Sequence, residues 1–283
     1  MIAAATGLHP ETRVWFDGTL TEPRLDHPEC VAVHPDGSLW CGGERGQIFR
    51  LDPEGRELQE VATTEGFSLG LAFDAKERLY VCDLKEACVF RLETQTGRLE
   101  RFAGGAGGHR LRNPNFPVVD QRGRVYVSDS HGFHDPGPGI FRFEPSGDGE
   151  LWYAETVDFA NGLALSPDES FLYVVESFAN RIFRIPIDAG GRPGPREEVA
   201  HLPGILPDGI AMHPSGNLYV GCYEPSQILR VRAGGEVEVV VSDPEAHLLC
   251  HPTNLAFRGR TLFASNLGRW HITAVDLPAG EEW

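Results

Sequence analysis

Six imperfect repeats run through the sequence, and this periodicity constrains the fold more than any other feature. Each repeat begins with a short apolar segment that has a small residue at its centre, and a second segment with an aromatic residue follows after a turn. Successive centres are 40, 46, 46, 47 and 45 residues apart. The centres are Ala32, Ala72, Val118, Ala164, Ala211 and Ala256.

These segments have the character of β-strands. They are short, rich in Val, Ile, Tyr and Phe, and bounded by turn sequences such as Pro35-Asp36-Gly37. A repeat of roughly 40–50 residues with about four strands is typical of one blade of a propeller. The sequence therefore predicts an all-β protein, a single six-bladed β-propeller domain that spans residues 1–283.

The two ends of the chain indicate how the ring closes. The sixth repeat is too short for a fourth strand after Leu277, whereas residues 12–16 precede the first repeat and have a strand-like sequence. We therefore predict that the N-terminal strand completes the last blade, which removes two open sheet edges at once. Residues 104–108 and 131–139 fall outside the repeats and are predicted to be surface loops.

Charge, the N-terminal sequence and the cysteines indicate which partners and which compartment to expect. The chain has 41 acidic and 25 basic residues, a net charge of −16, which disfavours binding to nucleic acid or to an anionic membrane. The N-terminal sequence has neither the basic start nor the apolar core of a signal peptide, so we expect a cytoplasmic protein. The six cysteines form no Cys-x-x-Cys pair and are expected to be reduced and buried. The oligomeric state is left open.

One position at the start of the predicted first strands is unusually polar. The first strand of each propeller blade lines the central axis, so the first residues of the six strands should converge. Taken singly, Asn161-Gly162 and Asp208-Gly209 are typical turn dipeptides. Turn formation does not explain Glu29. It also does not explain why polar residues occupy the same position in distant repeats. The residues at this position are Glu29, Leu69, Asn115, Asn161, Asp208 and Thr253.

Carboxylates that converge in a narrow channel require a cation, because they otherwise repel one another. Glu29 and Asp208 bring two negative charges, and Asn115 and Asn161 add amide oxygens. Such an all-oxygen set suits a hard divalent ion, and the absence of His or Cys from this register argues against zinc as the preferred metal. We predict one metal site formed by these four residues. Calcium is the first choice, and magnesium, manganese and zinc are alternatives.

The ends of the predicted second strands lie at the same end of the blades, because paired strands run antiparallel. Polar residues there are predicted to surround the mouth of the channel. Asp129 and His131, together with Asn113 and Asn115, are the predicted substrate-binding residues. The full set at the strand ends is Glu44, Asp83, Asp129, Ser130, His131, Glu176, Ser177, Tyr223, Ser265 and Asn266.

Four motifs resemble those of the senescence marker protein, gluconolactonase and luciferin-regenerating enzyme family. They are Pro28-Glu29, residues 112–115, residues 161–168 and residues 207–211, and the resemblance extends over essentially the whole chain. It implies a six-bladed propeller with one divalent ion at the top of the channel and lactonase activity.

The resemblance also implies site residues. The metal ligands would be Glu29, Asn161 and Asp208, with Asn115 beside them, which are the four residues that the strand register selects. The chain differs from the family at two positions. Phe116 stands where members often have Asp, and Asn113 stands where some members have an Arg that contacts sugar hydroxyls.

These observations predict a metal-dependent hydrolase that opens a sugar aldonolactone or a similar small lactone. The ion would stabilise the oxyanion of the tetrahedral intermediate, and Asp208 would be the general base, with Asp129 and His131 as alternatives. Two other functions share the same residues. One is a phosphotriesterase, and the other is a non-enzymatic interaction propeller with a structural calcium ion.

Overall fold

The computed structural model describes residues 10–278, and within that range the chain consists of strands, turns and loops without a helix. Six antiparallel four-stranded sheets follow one another along the chain. They form the six-bladed β-propeller that the repeats predict. Among the described residues there is no helix of the length and apolarity needed to cross a membrane.

Each four-stranded sheet is one blade, and its first strand in the chain lies innermost, except that β1 (Glu11–Asp17) joins the last blade. Blade 1 contains β2 (Val31–Val33), β3 (Leu39–Gly42), β4 (Gln47–Leu51) and β5 (Leu58–Thr63). Blade 2 contains β6 (Ser68–Phe73), β7 (Arg78–Asp83), β8 (Cys88–Glu93) and β9 (Arg98–Ala103). A two-stranded hairpin of β10 (Gly105–Ala106) and β11 (His109–Arg110) follows.

The remaining blades have the same plan. Blade 3 contains β12 (Pro114–Val119), β13 (Val125–Asp129), β14 (Gly137–Phe143) and β15 (Gly149–Val157). Blade 4 contains β16 (Ala160–Leu165), β17 (Phe171–Glu176), β18 (Arg181–Pro186) and β19 (Glu197–His201). Blade 5 contains β20 (Leu206–Met212), β21 (Leu218–Glu224), β22 (Gln227–Val231) and β23 (Val237–Ser242). Blade 6 contains β24 (Pro252–Arg258), β25 (Thr261–Asn266), β26 (His271–Asp276) and β1.

The ring is closed by its two ends, as predicted. Strand β1 pairs antiparallel with β26, from Glu11 opposite Asp276 to Asp17 opposite His271. An ion pair between Arg13 and Asp276 joins the same two strands. The pairing gives blade 6 its fourth strand, so that all six blades have four strands.

Packing between blades fixes the inner strands around the channel. Most aromatic residues of the second strands are buried, and Trp40 of blade 1, for example, meets Phe73 of blade 2 edge-on at 5.8 Å between ring centres. Each inner strand contacts the inner strands of its two neighbours. Below their first residues the inner strands line the channel with apolar side chains such as Leu163 and Ile210. The start of each inner strand is therefore held at the channel by contacts with the inner strands on both sides.

Two predictions about loops are wrong in part. Residues 105–106 belong to the hairpin of β10 and β11, and residues 137–139 belong to β14, so only the remainder of each segment is a loop. The prediction about the thiols is confirmed, because all six cysteines are free and buried.

Candidate functional site

Five of the six inner strands change their pairing register at the predicted polar position. Such a bulge interrupts the alternation of side chains in a strand and re-aims the residues within it. Asn115, Asn161 and Asp208 each lie inside one of these interruptions. The register shifts fall between Ser68 and Leu71, Pro114 and Pro117, Ala160 and Leu163, Pro207 and Ile210, and Pro252 and Leu255.

The dipeptides Asn161-Gly162 and Asp208-Gly209 are not turns. They lie within β16 and β20, where the glycines let neighbouring inner strands approach closely. A Cβ added to Gly162 would lie 2.6 Å from the Cα of Gly209, and one added to Gly209 would lie 2.0 Å from Oδ1 of Asn254. The interpretation of these pairs as turn dipeptides is therefore wrong. The glycines bring the polar side chains beside them close together.

Glu29, Asn161, Asp208 and Asn254 form a connected group at this end of the channel. Nδ2 of Asn254 donates to Oε2 of Glu29 at 3.1 Å and to the Glu29 carbonyl at 3.0 Å. The carboxylates of Glu29 and Asp208 are close enough to repel, and Asn161 hydrogen-bonds to Asp208. Asn115 stands on β12, which packs against β16. Glu29 is thus bonded to Asn254, Asn161 is bonded to Asp208, and Asn115 is on the adjacent strand.

Buried oxygens without hydrogen-bond partners are concentrated at the start of the inner strands. A buried acceptor without a donor costs about 1–3 kcal/mol, so several on adjacent strands require an explanation. Apart from the Ser68 hydroxyl, those at the strand starts are amide or carboxylate oxygens, the ligand type that calcium and other hard divalent cations prefer. The residues present therefore fit the predicted metal. Among residues 10–278, the orphaned oxygens are the hydroxyls of Ser68 and Tyr126 and the Oδ1 atoms of Asn113, Asn115, Asn161, Asp208 and Asn254.

Burial and mutual repulsion oppose the charged forms of the two acidic residues. Burial raises the pKa of Glu29 well above its usual value, and the charge of Asp208 raises it further. Burial also raises the pKa of Asp208, to about 7, against the opposing effect of the hydrogen bond with Asn161. Positive charge beside the pair would reverse both shifts, because it stabilises the carboxylates.

Three serines at the ends of second strands fix the backbone that carries these groups. Each hydroxyl donates to a carbonyl of the next blade, directly at or before a predicted ligand. Ser177 also accepts a hydrogen bond from Nδ2 of Asn161 at 3.2 Å. The inter-blade bonds run from Ser130 to Ala160 at 2.6 Å, from Ser177 to Pro207 at 2.7 Å and from Ser265 to Glu29 at 2.9 Å.

Asp129 lies in the wall of the propeller. Its Oδ1 accepts the backbone N–H groups of Asn113 and His131, both at 2.9 Å, and its Oδ2 accepts that of Arg112 at 2.8 Å. The residue has no exposed surface. These bonds hold the segment that enters β12 and leave Asp129 without a free oxygen for substrate or for a proton. Asp83 and Glu176 accept backbone amides of the entering segments of their own blades in the same way.

The other predicted substrate-binding residues differ in whether their polar side-chain atoms already have hydrogen-bond partners. Nε2 of His131 lies 3.2 Å from the Pro138 carbonyl and Nδ1 lies 3.4 Å from Arg112, so this ring is engaged within its own loop. Asn113 and Asn115 keep an unpartnered buried oxygen each. The geometry therefore favours the two asparagines over Asp129 and His131.

Asn254 is the site residue that the sequence did not reveal. The repeat register selects Thr253, but its hydroxyl donates to the Glu29 carbonyl and lies 3.1 Å from the Ser265 hydroxyl. Both residues lie in the β24 bulge, which presents two successive side chains where spacing between repeats identifies one. The only sequence signal was a second polar residue before the apolar strand.

We expect Asn254→Ala to weaken calcium binding about 10–100-fold, because it removes the donor that orients the Glu29 carboxylate. Isothermal titration with calcium measures the effect. Ser265→Ala is the comparison variant: it removes hydrogen bonds to the backbone of Glu29 and Asn254 but none to the Glu29 carboxylate, so it should weaken binding less. Wild-type affinity in Asn254→Ala would show that Asn254 does not hold Glu29.

Fold and site together define a class, the six-bladed propellers with an oxygen-lined site at one end of the channel. Residues 27–265 match the family described as SMP-30/gluconolactonase/LRE-like region. The chain belongs to this family.

Known proteins with similar sequences include two lactonases. The 6-deoxy-6-sulfogluconolactonase of Pseudomonas putida is 26% identical over 234 residues, which cover 80% of this chain and 78% of that protein. Lactonase drp35 of Staphylococcus aureus is 26% identical over 243 residues, 78% of this chain and 72% of that protein.

Solved structures share the fold at lower identity. A gluconolactonase of Xanthomonas campestris has a TM-score of 0.76 at 22% identity, with 89% of this chain and 86% of that chain covered. A luciferin-regenerating enzyme has a TM-score of 0.74 at 17% identity, with 96% of each chain covered.

Proposed function

We propose that this protein is a lactonase that depends on a divalent cation, with calcium as the preferred ion. The observation that carries the proposal is the set of unpartnered buried oxygens beside two mutually repelling carboxylates. Glu29, Asn161 and Asp208 would hold the ion, with Asn115 and Asn254 beside them. The lactonases among its relatives support the same substrate class.

The chemistry is the addition of water to the acyl carbon of a lactone, which breaks the ring C–O bond and yields a hydroxy acid. When bound, the cation supplies positive charge that polarises the substrate carbonyl. Asn113 and Asn115 have free amide oxygens and would accept hydrogen bonds from the substrate or from water. The inter-blade bonds of the serines keep these groups in place during the reaction.

Asp208 is the proposed general base. Its Oδ1 has no partner, and a carboxylate can offer one oxygen to a cation and the other to the proton of water. The proton it accepts would pass to the alkoxide that leaves when the ring opens. Asp129 and His131 are poorer candidates, because their acceptor atoms are already engaged.

The test is a hydrolysis assay with a pH indicator on the calcium-loaded protein. γ-Butyrolactone, D-gluconolactone and the phosphotriester paraoxon are compared at equal concentration. We expect at least one lactone to be opened with a kcat/KM far above that for paraoxon. Hydrolysis of paraoxon alone would identify a phosphotriesterase, and no hydrolysis would favour a non-enzymatic propeller.

The compartment is part of the proposal. Six buried free cysteines are typical of a protein kept in a reducing environment, so we place the enzyme in the cytoplasm. The net charge of −16 supports a small-molecule substrate rather than nucleic acid or an anionic membrane surface.

A further inference from the structure

Four aromatic rings form a cluster beside the channel mouth, between blades 3 and 4. Phe159 and Phe178 pack with their ring centres 4.5 Å apart. Phe133 lies 5.3 Å from Phe159 and 5.8 Å from Phe178, and His134 stacks on Phe178 at 5.6 Å. We call these four residues the aromatic patch.

The patch borders the candidate metal site. Phe159 stands two residues before Asn161, and its carbonyl accepts the backbone N–H of Ser177 at 3.2 Å. Ser177 in turn accepts a hydrogen bond from the Asn161 side chain, and Phe178 follows it directly. Phe159 and Phe178 therefore flank the bond that positions a predicted ligand. A molecule held at that ligand would lie next to the patch.

Phe133 is exposed to an unusual degree. Its exposure is 75%, and Leu20, at 96%, is the other large apolar side chain on the surface of residues 10–278. Exposed apolar surface costs free energy, and when clustered at a cleft it marks a binding site.

The loop that carries Phe133 is held by its own bonds. Arg112 forms an ion pair with Asp135 at 2.8 Å, and the Asp135 amide donates to the Gly132 carbonyl at 3.2 Å. The His131 amide is fixed on Asp129. These contacts hold the backbone on both sides of Phe133, whose ring packs on Phe159 and is otherwise exposed. The exposed ring face of Phe133 therefore belongs to an ordered loop.

Two residues on this side of the mouth offer little to sugar hydroxyls. Phe116, which follows Asn115, carries no polar atom in its side chain and is 8% exposed. The guanidinium of Arg112 is paired with Asp135. A polyhydroxylated ring could use the Oδ1 atoms of Asn113 and Asn115, but it has no apolar substituent to cover the ring faces of the patch.

We propose that the aromatic patch binds an apolar substituent of the lactone, so that this protein prefers alkyl- or aryl-substituted lactones to polyhydroxylated aldonolactones. The inference rests on the proposed lactonase function and deepens it by naming the substrate class. Phe133 is the residue that determines this preference, because its exposed face is the one that a substrate can cover.

The test compares two substrates that differ by one apolar group, γ-phenyl-γ-butyrolactone and γ-butyrolactone. In the wild-type protein, kcat/KM should be higher for the phenyl compound, and both should exceed D-gluconolactone. Phe133→Ala should lower the ratio of phenyl to unsubstituted kcat/KM about tenfold, mainly through KM, and Phe133→Trp should restore it. Leu20→Ala is the matched control, an even more exposed apolar residue in the segment between β1 and β2, and should leave the ratio unchanged.

The outcomes separate the inference from the function on which it rests. Turnover of all three lactones with no preference for the phenyl compound, or a ratio that Phe133→Ala leaves unchanged, would overturn the inference and keep the lactonase. A wild-type protein inactive on every lactone would overturn both. If Leu20→Ala lowered the ratio of kcat/KM values as much as Phe133→Ala, the effect would be a general one of the surface, and the inference about Phe133 would also be overturned.

Discussion

Replacing Asp208 by asparagine should lower kcat/KM for the best lactone substrate by at least about 10³-fold. The amide has nearly the same shape as the carboxylate, so the close packing around Gly162 and Gly209 is kept. It removes one of the two negative charges that would hold the cation, and it removes the proposed proton acceptor. Both losses act on the chemical step. The measurement is the initial rate of ring opening at saturating calcium.

A charge-neutralising change elsewhere controls for general electrostatic effects. Glu150→Gln removes an exposed carboxylate that pairs with Arg142 on the outer strands of blade 3, and it should keep activity within about twofold. His131→Gln tests the alternative base. If calcium-loaded Asp208→Asn kept activity within tenfold of wild type while His131→Gln lost it, the assignment of the base to Asp208 would be incorrect.

Removing divalent ions should abolish activity and lower thermal stability. A ligand at 100 times its dissociation constant stabilises the folded state by about 2.7 kcal/mol, which corresponds to a rise in Tm of roughly 5 °C for a domain of this size. We expect calcium, added back after EDTA, to restore both turnover and Tm. Thermal unfolding followed by circular dichroism, with a parallel rate assay, measures the two effects on one sample.

Glu29→Gln gives this experiment its control. The variant should show no rise in Tm on addition of calcium, because one of the two charged ligands is gone. Without metal it should unfold at a higher temperature than the metal-free wild type, since the cost of burying the Glu29 carboxyl group and its repulsion from Asp208 are both removed. Full activity in EDTA, or an unchanged calcium response in Glu29→Gln, would contradict metal dependence at this site.

The fold could be predicted because the same strand and turn sequences recur in all six repeats. Apolar strands, aromatic second strands and turns recur at nearly constant spacing, and only the first and last strands break the pattern. The missing fourth strand after Leu277 and the extra one before the first repeat indicated the closure of the ring by β1 and β26. Local loop structure was less predictable, since the β10–β11 hairpin lies outside the repeat.

For the candidate site, the sequence could predict only one position at the start of each inner strand. Spacing identified Glu29, Asn115, Asn161 and Asp208, because residues at one register converge whatever their neighbours do. It could not identify Asn254, because a bulge changes which residue faces the channel and leaves no mark in the spacing.

Spacing also could not separate free polar groups from engaged ones. Asp129 occupies a strand end just as Ser177 does, yet the backbone amides of its own loop take both of its oxygens. Hydrogen bonds of this kind depend on how the segments between strands pack, and the sequence pattern does not specify that packing. The aromatic patch depends on the same packing, because Phe133 comes from an insertion that no other repeat contains.

A crystal structure of the protein grown with millimolar calcium tests the central claim most directly. The claim is that carboxylate and amide oxygens from different blades jointly bind one divalent cation at the end of the channel. We predict a single ion within about 2.3–2.6 Å of oxygens from Glu29, Asn161 and Asp208, with an anomalous signal that identifies calcium. An empty channel end at that concentration, with the Oδ1 atoms of Asn161 and Asp208 still unpartnered, would contradict the claim.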